Sequence, residues 1–426
     1  MRMQAGLAFE QAPPLSLPLR FFLTAPLFLF AAGALLAVAP DALASRWELR
    51  TFALTHLLTL GFLGMTMLGA LTQMLPVIAG VPIAAPRWVA RLTHVPFALG
   101  SAVLAAGFLG AGAAAFGAAI ALLGASLAVF GGAAAMSLAR AARGDTVNGM
   151  RLALAGLALT VVLGVALALP RAGWTPASPD WAHVDAHAAF GLLGWVLLLV
   201  IGIAYQVVPM FQITPPYPPR IARWLAFILA ALLGVHALAP LLPAPASHAA
   251  EAGIAVVVLV FALVTLRLQT QRRRKLPDVT LDFWRLGMAS LIACVALWLA
   301  AQILPAWADS DAYPLLLGVL FLLGFAVSVV SGMLYKIVPF LAWFHLQAQL
   351  QARAGTIPTM KDMIGPRRQR LQLRLHQAAC ALLVPAPLWP PLAVAGGLLL
   401  GVSAAGLWLN LYSALRRFHA HGGHAR

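Results

Sequence analysis

The sequence predicts an all-α membrane protein: twelve transmembrane helices in three parallel four-helix units with a pseudo-threefold arrangement. Three observations carry that prediction. First, 62% of the 426 residues are apolar, only 9% are charged and the mean hydropathy is +0.91, whereas about a quarter of a soluble domain is charged. Second, twelve stretches reach the roughly 20 apolar residues that a span needs. They are 19–40, 49–79, 87–112, 115–139, 150–170, 180–213, 220–243, 249–268, 281–303, 312–345, 372–389 and 391–415. Third, the skeleton of Gly61 to Pro76, GFLGMTMLGALTQMLP, returns as GWVLLLVIGIAYQVVP from Gly194 and as GFAVSVVSGMLYKIVP from Gly324. The copies start 133 and 130 residues apart, far beyond the periods of soluble solenoids. Connections are short, so residues 1–426 form a single polytopic membrane domain.

Charge sets the expected orientation. The net charge is +16, yet of the 28 Lys and Arg only Arg46, Arg50 and Arg171 fall towards the side opposite the two termini. This is the positive-inside pattern. It predicts cytoplasmic termini in a bacterial-type inner membrane, with the basic runs facing anionic membrane lipid, and it excludes nucleic acid as the partner. The first twenty residues lack the layout of a signal peptide and read as a cytoplasmic leader. Cys294 and Cys380 sit inside predicted helices and form neither a metal motif nor a disulfide framework.

In chain order, segment 1 enters after Pro18 and Arg20 and ends near Pro40. Ser45 and Glu48 then match a capping box opening segment 2, with Trp47 at the interface. His56 lies two to three turns further in. Segments 3 to 5 are rich in Ala, Gly and Leu, which permits close helix approach; His94 is expected at the interface. Segment 6 opens with Ser178 as N-cap, Pro179 and Asp180. His183 and His187 follow one turn apart on one face, with Asp185 on another. His236 lies near the outer end of segment 7 and His248 in the next loop. His345, His376 and the tail histidines His419, His421 and His424 are expected on the cytoplasmic side.

The repeat places its copies on segments 2, 6 and 10, all running outside to inside. It divides the chain into units of about 19–139, 149–275 and 280–415. An even number of crossings per unit makes them parallel, related by an axis along the membrane normal. Gly69, Gly202 and Gly332 read as packing points. The copies also differ: Lys336 stands where the others carry Gln73 and Gln206. Ser331, Tyr335 and Lys336 on segment 10, with Gln73, Tyr205 and Gln206, make up a candidate polar path, because charges within spans are costly and default to function. Lys336 also lies far enough along its segment to snorkel.

With these residues in hand, the chain resembles the catalytic subunit of the haem-copper oxidase superfamily. In size it is closer to the smaller twelve-helix haem- and copper-containing proteins linked to nitric oxide tolerance. The resemblance implies b-type haem and copper as cofactors. It makes His56 the counterpart of a haem ligand and His187, or His183, that of a copper ligand, with His236 standing for one member of a histidine pair. Arg50 is then a candidate partner for haem propionates, with Glu48 or lipid as its alternative contacts. Met65, Met67, Met210 and Met333 are candidate axial ligands or core. The chain departs from the pattern at His236, whose neighbours are Val235 and Ala237, and on segment 10, where Tyr313 to Leu323 contains no histidine. A two-haem, one-copper centre is therefore not assembled, which excludes a proton-pumping oxygen reductase.

The functional expectation is a haem-binding, haem-copper-like membrane protein that transfers electrons, with a respiratory redox partner, or handles a diatomic gas such as nitric oxide. Two other classes stay open: a secondary transporter of three parallel repeats, and a non-catalytic partner of a respiratory complex. The sequence contains no nucleotide loop, hydrolase triad or paired catalytic carboxylates.

Overall fold

A computed structural model describes residues 11–176, 181–273, 275–350 and 357–424. These residues form helices and no strand. The long helices are α1 (Ser16–Val38), α2 (Leu49–Ile78), α3 (Pro86–Ala111), α4 (Ala113–Arg140), α5 (Asp145–Ala168) and α6 (Ala182–Gln212). They continue as α7 (Pro219–Ala237), α8 (Ala244–Thr270), α9 (Val279–Ile303), α10 (Ala312–Leu350), α11 (Pro366–Leu383) and α12 (Pro391–Ala420). Eleven of them are long and apolar enough to cross a membrane. The remaining one is α11, whose 18 residues start and stop earlier than the predicted 372–389. Its first half carries Arg367, Arg368, Arg370 and Arg374, and Pro385 and Pro387, which cannot continue a helix, lie just past its end.

Burial separates the helices that carry the repeated motif from the rest. In α10, α2 and α6, 89%, 72% and 56% of the most apolar stretch is buried, against 22–44% in the other eight spans. A small apolar cavity of about 70 Å³ lies among these three helices, lined from each in turn by Met67, Ile203 and Met333. The glycines explain the close packing. A side chain at Gly61 would strike Phe28, and at Gly69 it would strike Phe21, both on α1. Gly194 and Gly202 meet Gly156 and Gly149 of α5, and Gly324 and Gly332 meet Ser290 and Phe283 of α9. In each case, glycines eight residues apart pack on positions seven apart in the preceding helix. The motif glycines are thus packing points between antiparallel neighbours.

Each motif helix also contains one wide π-helical stretch: Leu57–Gly64 in α2, Phe190–Leu197 in α6 and Leu320–Val327 in α10. They begin 133 and 130 residues apart, the spacing of the motif itself. Such stretches are rare and frequently mark functional sites.

Two expected helix caps fare differently. The Ser45 hydroxyl donates to Asp311 Oδ1 at 3.0 Å instead of capping α2. Helix α2 opens at Leu49 with Glu48 in the cap position and no side-chain cap; the Ser45 oxygen accepts from the Trp47 amide at 3.4 Å, ahead of the first helical turn. Ser178, Pro179 and Asp180 lie outside the described residues. Both described ends of the chain meet the last turns of α10: His345 Nε2 lies 3.1 Å from the Pro13 carbonyl, and Gln349 Nε2 donates to the His424 carbonyl at 2.9 Å. This defines a terminal face of the bundle and an opposite, far face.

Candidate functional site

Towards the far face, a cavity of about 790 Å³ opens between the helices, within the range of cofactor sites. Its wall is mostly apolar. His56 and His187 both line it, from α2 and α6. The two ring centroids lie 6.2 Å apart with an interplanar angle of 24°. His56 Nδ1 lies 2.7 Å from the Phe52 carbonyl, one turn back on its own helix. His187 Nδ1 lies 3.0 Å from the Thr160 carbonyl on α5. A carbonyl only accepts, so both Nδ1 atoms carry the proton and both Nε2 lone pairs are free to ligate.

Local structure holds each ring in place. The π stretch of α2 starts at the residue after His56, and that of α6 starts three residues after His187. Phe108 of α3 stacks on His56 with centroids 5.3 Å apart. On the other side, Gly164 of α5 makes room for His187: a Cβ there would lie 2.9 Å from His187 Cε1.

Two cations border the same cavity, Arg46 and Arg171. Arg171 lies 5.5 Å from the Phe108 ring centroid and 5.9 Å from those of Phe52 and Phe116, a favourable arrangement with ring faces. Arg46 pairs with Asp185, tying the start of α2 to α6. Arg50 instead pairs with Asp41 and does not line the cavity, so of the three cations on this side it is Arg46 and Arg171 that stand at the site. Their signal in the sequence was that they break the charge asymmetry. Phe108, Thr160 and Gly164 carried no such signal.

The other candidate ligands are dispersed. His183 is exposed. His236 reaches the cavity wall at some distance, with Nδ1 3.8 Å from Glu251 Oε1 of α8. Among the described residues no group of three or more His, Cys, Asp or Glu stands close enough to hold a metal, so His183, His187 and His236 do not assemble into a copper site. Among the described residues no methionine lines the large cavity; Met67 and Met333 border the small one.

The candidate polar path is also divided. Lys336 Nζ meets Asp278 Oδ2 at 2.8 Å, and Asp278 accepts from the Thr280 amide to cap α9. The lysine is thus neutralised by a neighbouring helix end rather than by snorkelling alone. Tyr335 bonds to α11 and α12. Tyr205 packs edge-on against Tyr217 at 5.2 Å, and among the described residues neither its buried hydroxyl nor the buried Gln73 Oε1 has a hydrogen-bond partner. Among the described residues no hydrogen bond links Gln73, Tyr205 or Gln206 to Ser331, Tyr335 or Lys336.

No protein-family model matches the chain, and no curated protein matches it.

Proposed function

We propose that this is a haem-binding integral membrane protein that carries electrons or handles a diatomic gas such as nitric oxide. The reading rests on one observation: His56 and His187, each with Nδ1 at a backbone carbonyl and Nε2 left to ligate, lie with ring centroids 6.2 Å apart in one apolar cavity. His56 and His187 would hold the haem iron through their unprotonated Nε2 atoms, imidazole being a donor that iron accepts. The residues present therefore fit a haem held between α2 and α6. Arg171 and Arg46 would meet its propionates, and the aromatic wall of Phe52, Phe108 and Phe116 would exclude water. A bound haem supplies a one-electron couple and affinity for diatomic gases. Copper does not fit His183, His187 and His236, which do not come together.

The visible spectrum of protein purified after haem-sufficient expression tests this. A Soret band that changes in both His56→Ala and His187→Ala is expected. Absence of the band, with no iron on elemental analysis, refutes the reading. Solute uptake into vesicles that is lost in Lys336→Ala would instead make the protein a transporter.

We further read the chain as twelve spans in three parallel units around a pseudo-threefold axis. The three π stretches, the repeated glycine contacts and the burial of α2, α6 and α10 support this. On the positive-inside rule the terminal face is cytoplasmic, in a bacterial-type inner membrane. A respiratory redox partner would supply the electrons.

A further inference from the structure

The glycine contacts that align the motif helices also align the helices packed on them. Phe21 of α1, Gly149 of α5 and Phe283 of α9 stand against Gly69, Gly202 and Gly332. The residues just before them therefore share one equivalent position, and they are Arg20, Asn148 and Asp282. A second set of residues recurs nearby. Helices α3, α7 and α11 open with Pro86-Arg87, Pro219-Arg220 and Pro366-Arg367, and Arg91, Arg223 and Arg370 follow about one turn later. In the third unit the two sets meet as an ion pair, Arg370 with Asp282. In the second, Asn148 Oδ1 accepts from Arg151 of its own helix at 3.3 Å. In the first, a cation stands where the third unit has its carboxylate, and Arg20 and Arg91 repel one another.

A tie between α1 and α3 holds these two arginines at one level. Helix α1 starts beside the terminal face, and α3, two crossings later, starts there too. Thr24 Oγ1 of α1 lies 2.9 Å from His94 Nε2 of α3. The hydroxyl gives its single hydrogen to the Arg20 carbonyl at 2.9 Å, so His94 Nε2 is the donor across the groove. Phe21 packs edge-on against the same imidazole at 5.0 Å. Arg20 precedes Thr24 by four residues and Arg91 precedes His94 by three. Each is one helical turn away on the same face, towards the terminal face. Either arginine alone would be explained by snorkelling to the headgroups. Two held together without a counter-charge are not, because like charges at short range are unfavourable. Arg20 bonds only through Nε, to the Ser16 carbonyl at 3.1 Å, and Arg91 Cζ lies 5.7 Å from the Trp88 ring centroid. Among the described residues neither pairs with a carboxylate. Deeper along the same groove the surface is apolar and open: Leu27 of α1 and Leu92, Val95 and Leu99 of α3 are 52–55% exposed.

We propose that the phosphate of an anionic phospholipid sits between Arg20 and Arg91, in the place that the Asp282 carboxylate takes in the third unit. The terminal nitrogens of Arg20 and the Arg91 guanidinium supply charge-assisted donors suited to a phosphate. The acyl chains lie along Leu27, Val95 and Leu99; Leu27 is seven residues past Arg20, roughly 10 Å deeper at 1.5 Å per residue. With the terminal face on the cytoplasmic side, the lipid comes from the leaflet that is rich in anionic headgroups. Both α1 and α3 pack on α2, so the bound lipid closes the first unit around the helix of His56 as Asp282 and Arg370 close the third. The binding does not depend on what fills the large cavity.

The test uses the full chain, delipidated in detergent and titrated with dioleoyl phosphatidylglycerol, dioleoyl phosphatidylcholine or inorganic phosphate. Native mass spectrometry reads the lipid retained, and thermal unfolding reads Tm. The parent should prefer phosphatidylglycerol to phosphatidylcholine for one tightly held lipid and gain Tm with it. Arg91→Ala should weaken that lipid roughly tenfold, the factor of one charge-assisted hydrogen bond. Arg20→Asp recreates the pair of the third unit. It should unfold in phosphatidylcholine no earlier than the parent, yet lose both the preference and the gain in Tm. Arg223→Ala, at the matching place in the second unit, should leave both as in the parent. A parent without the preference, or Arg20→Asp and Arg91→Ala proteins that keep it, overturns the proposal. Equal stabilisation by inorganic phosphate overturns a lipid as the occupant. Retention is read without haem, so failure here is distinct from failure of the Soret test.

Discussion

Gly164→Ala probes the histidine pair without touching either histidine. A Cβ at position 164 would lie 2.9 Å from His187 Cε1, 3.4 Å from Nδ1 and 3.9 Å from Nε2, where ordinary contact begins at 3.4 Å. The ring must therefore retreat by about 0.5 Å, away from the Thr160 carbonyl 3.0 Å from its Nδ1. Metal–ligand bonds tolerate displacements of only about 0.2 Å. Overpacking of this kind costs about 1–3 kcal/mol, which corresponds to roughly 5- to 150-fold weaker haem retention. The assay is Soret absorbance per protein across a haem titration, with elution volume as the check on folding. Gly234→Ala, where a Cβ meets nothing within 4 Å, is the control and should match the parent. If Gly164→Ala binds haem with the parent's affinity and spectrum, His187 is not a ligand in the position derived above.

Two further outcomes follow from the same geometry. Arg171→Ala removes a cation placed over three aromatic rings at the cavity, a contact worth about 0.5–2 kcal/mol, and should lower haem retention several-fold; Arg50→Ala, off the cavity, should leave it unchanged. Gly156→Val drives a side chain into the Gly194 backbone and should destabilise the α5–α6 pair by about 1–3 kcal/mol. Thermal unfolding in detergent would show this as a lower Tm than that of Gly131→Val, whose added atoms meet open space.

The membrane-spanning character and the membership of α2, α6 and α10 in one set were legible in the sequence, because both are written in local chemistry. Apolar length decides what crosses a bilayer, and a glycine that must admit a neighbouring backbone leaves its mark wherever that packing recurs. His56 and His187 could be singled out for a similar reason: an ionisable group in a span is conspicuous. The π stretches were not legible, since an α-helix and a π-helix accept the same apolar residues and differ only in which carbonyl each amide reaches.

Contacts between distant residues belong to the tertiary structure alone. His56 and His187 are 131 positions apart and meet only because α2 and α6 border one cavity; Thr160 fixes the tautomer of His187 from a third helix. Arg50 and Arg171 look alike in sequence, but Asp41 claims one and the aromatic wall receives the other. His376 follows a run of arginines and reads as a surface residue. The packing of α11 against α9 and α10 instead buries it beside Ser328. The sequence by itself determined which residues are costly to bury; the fold decided which of them share a site, because that depends on helix neighbours that no local pattern encodes.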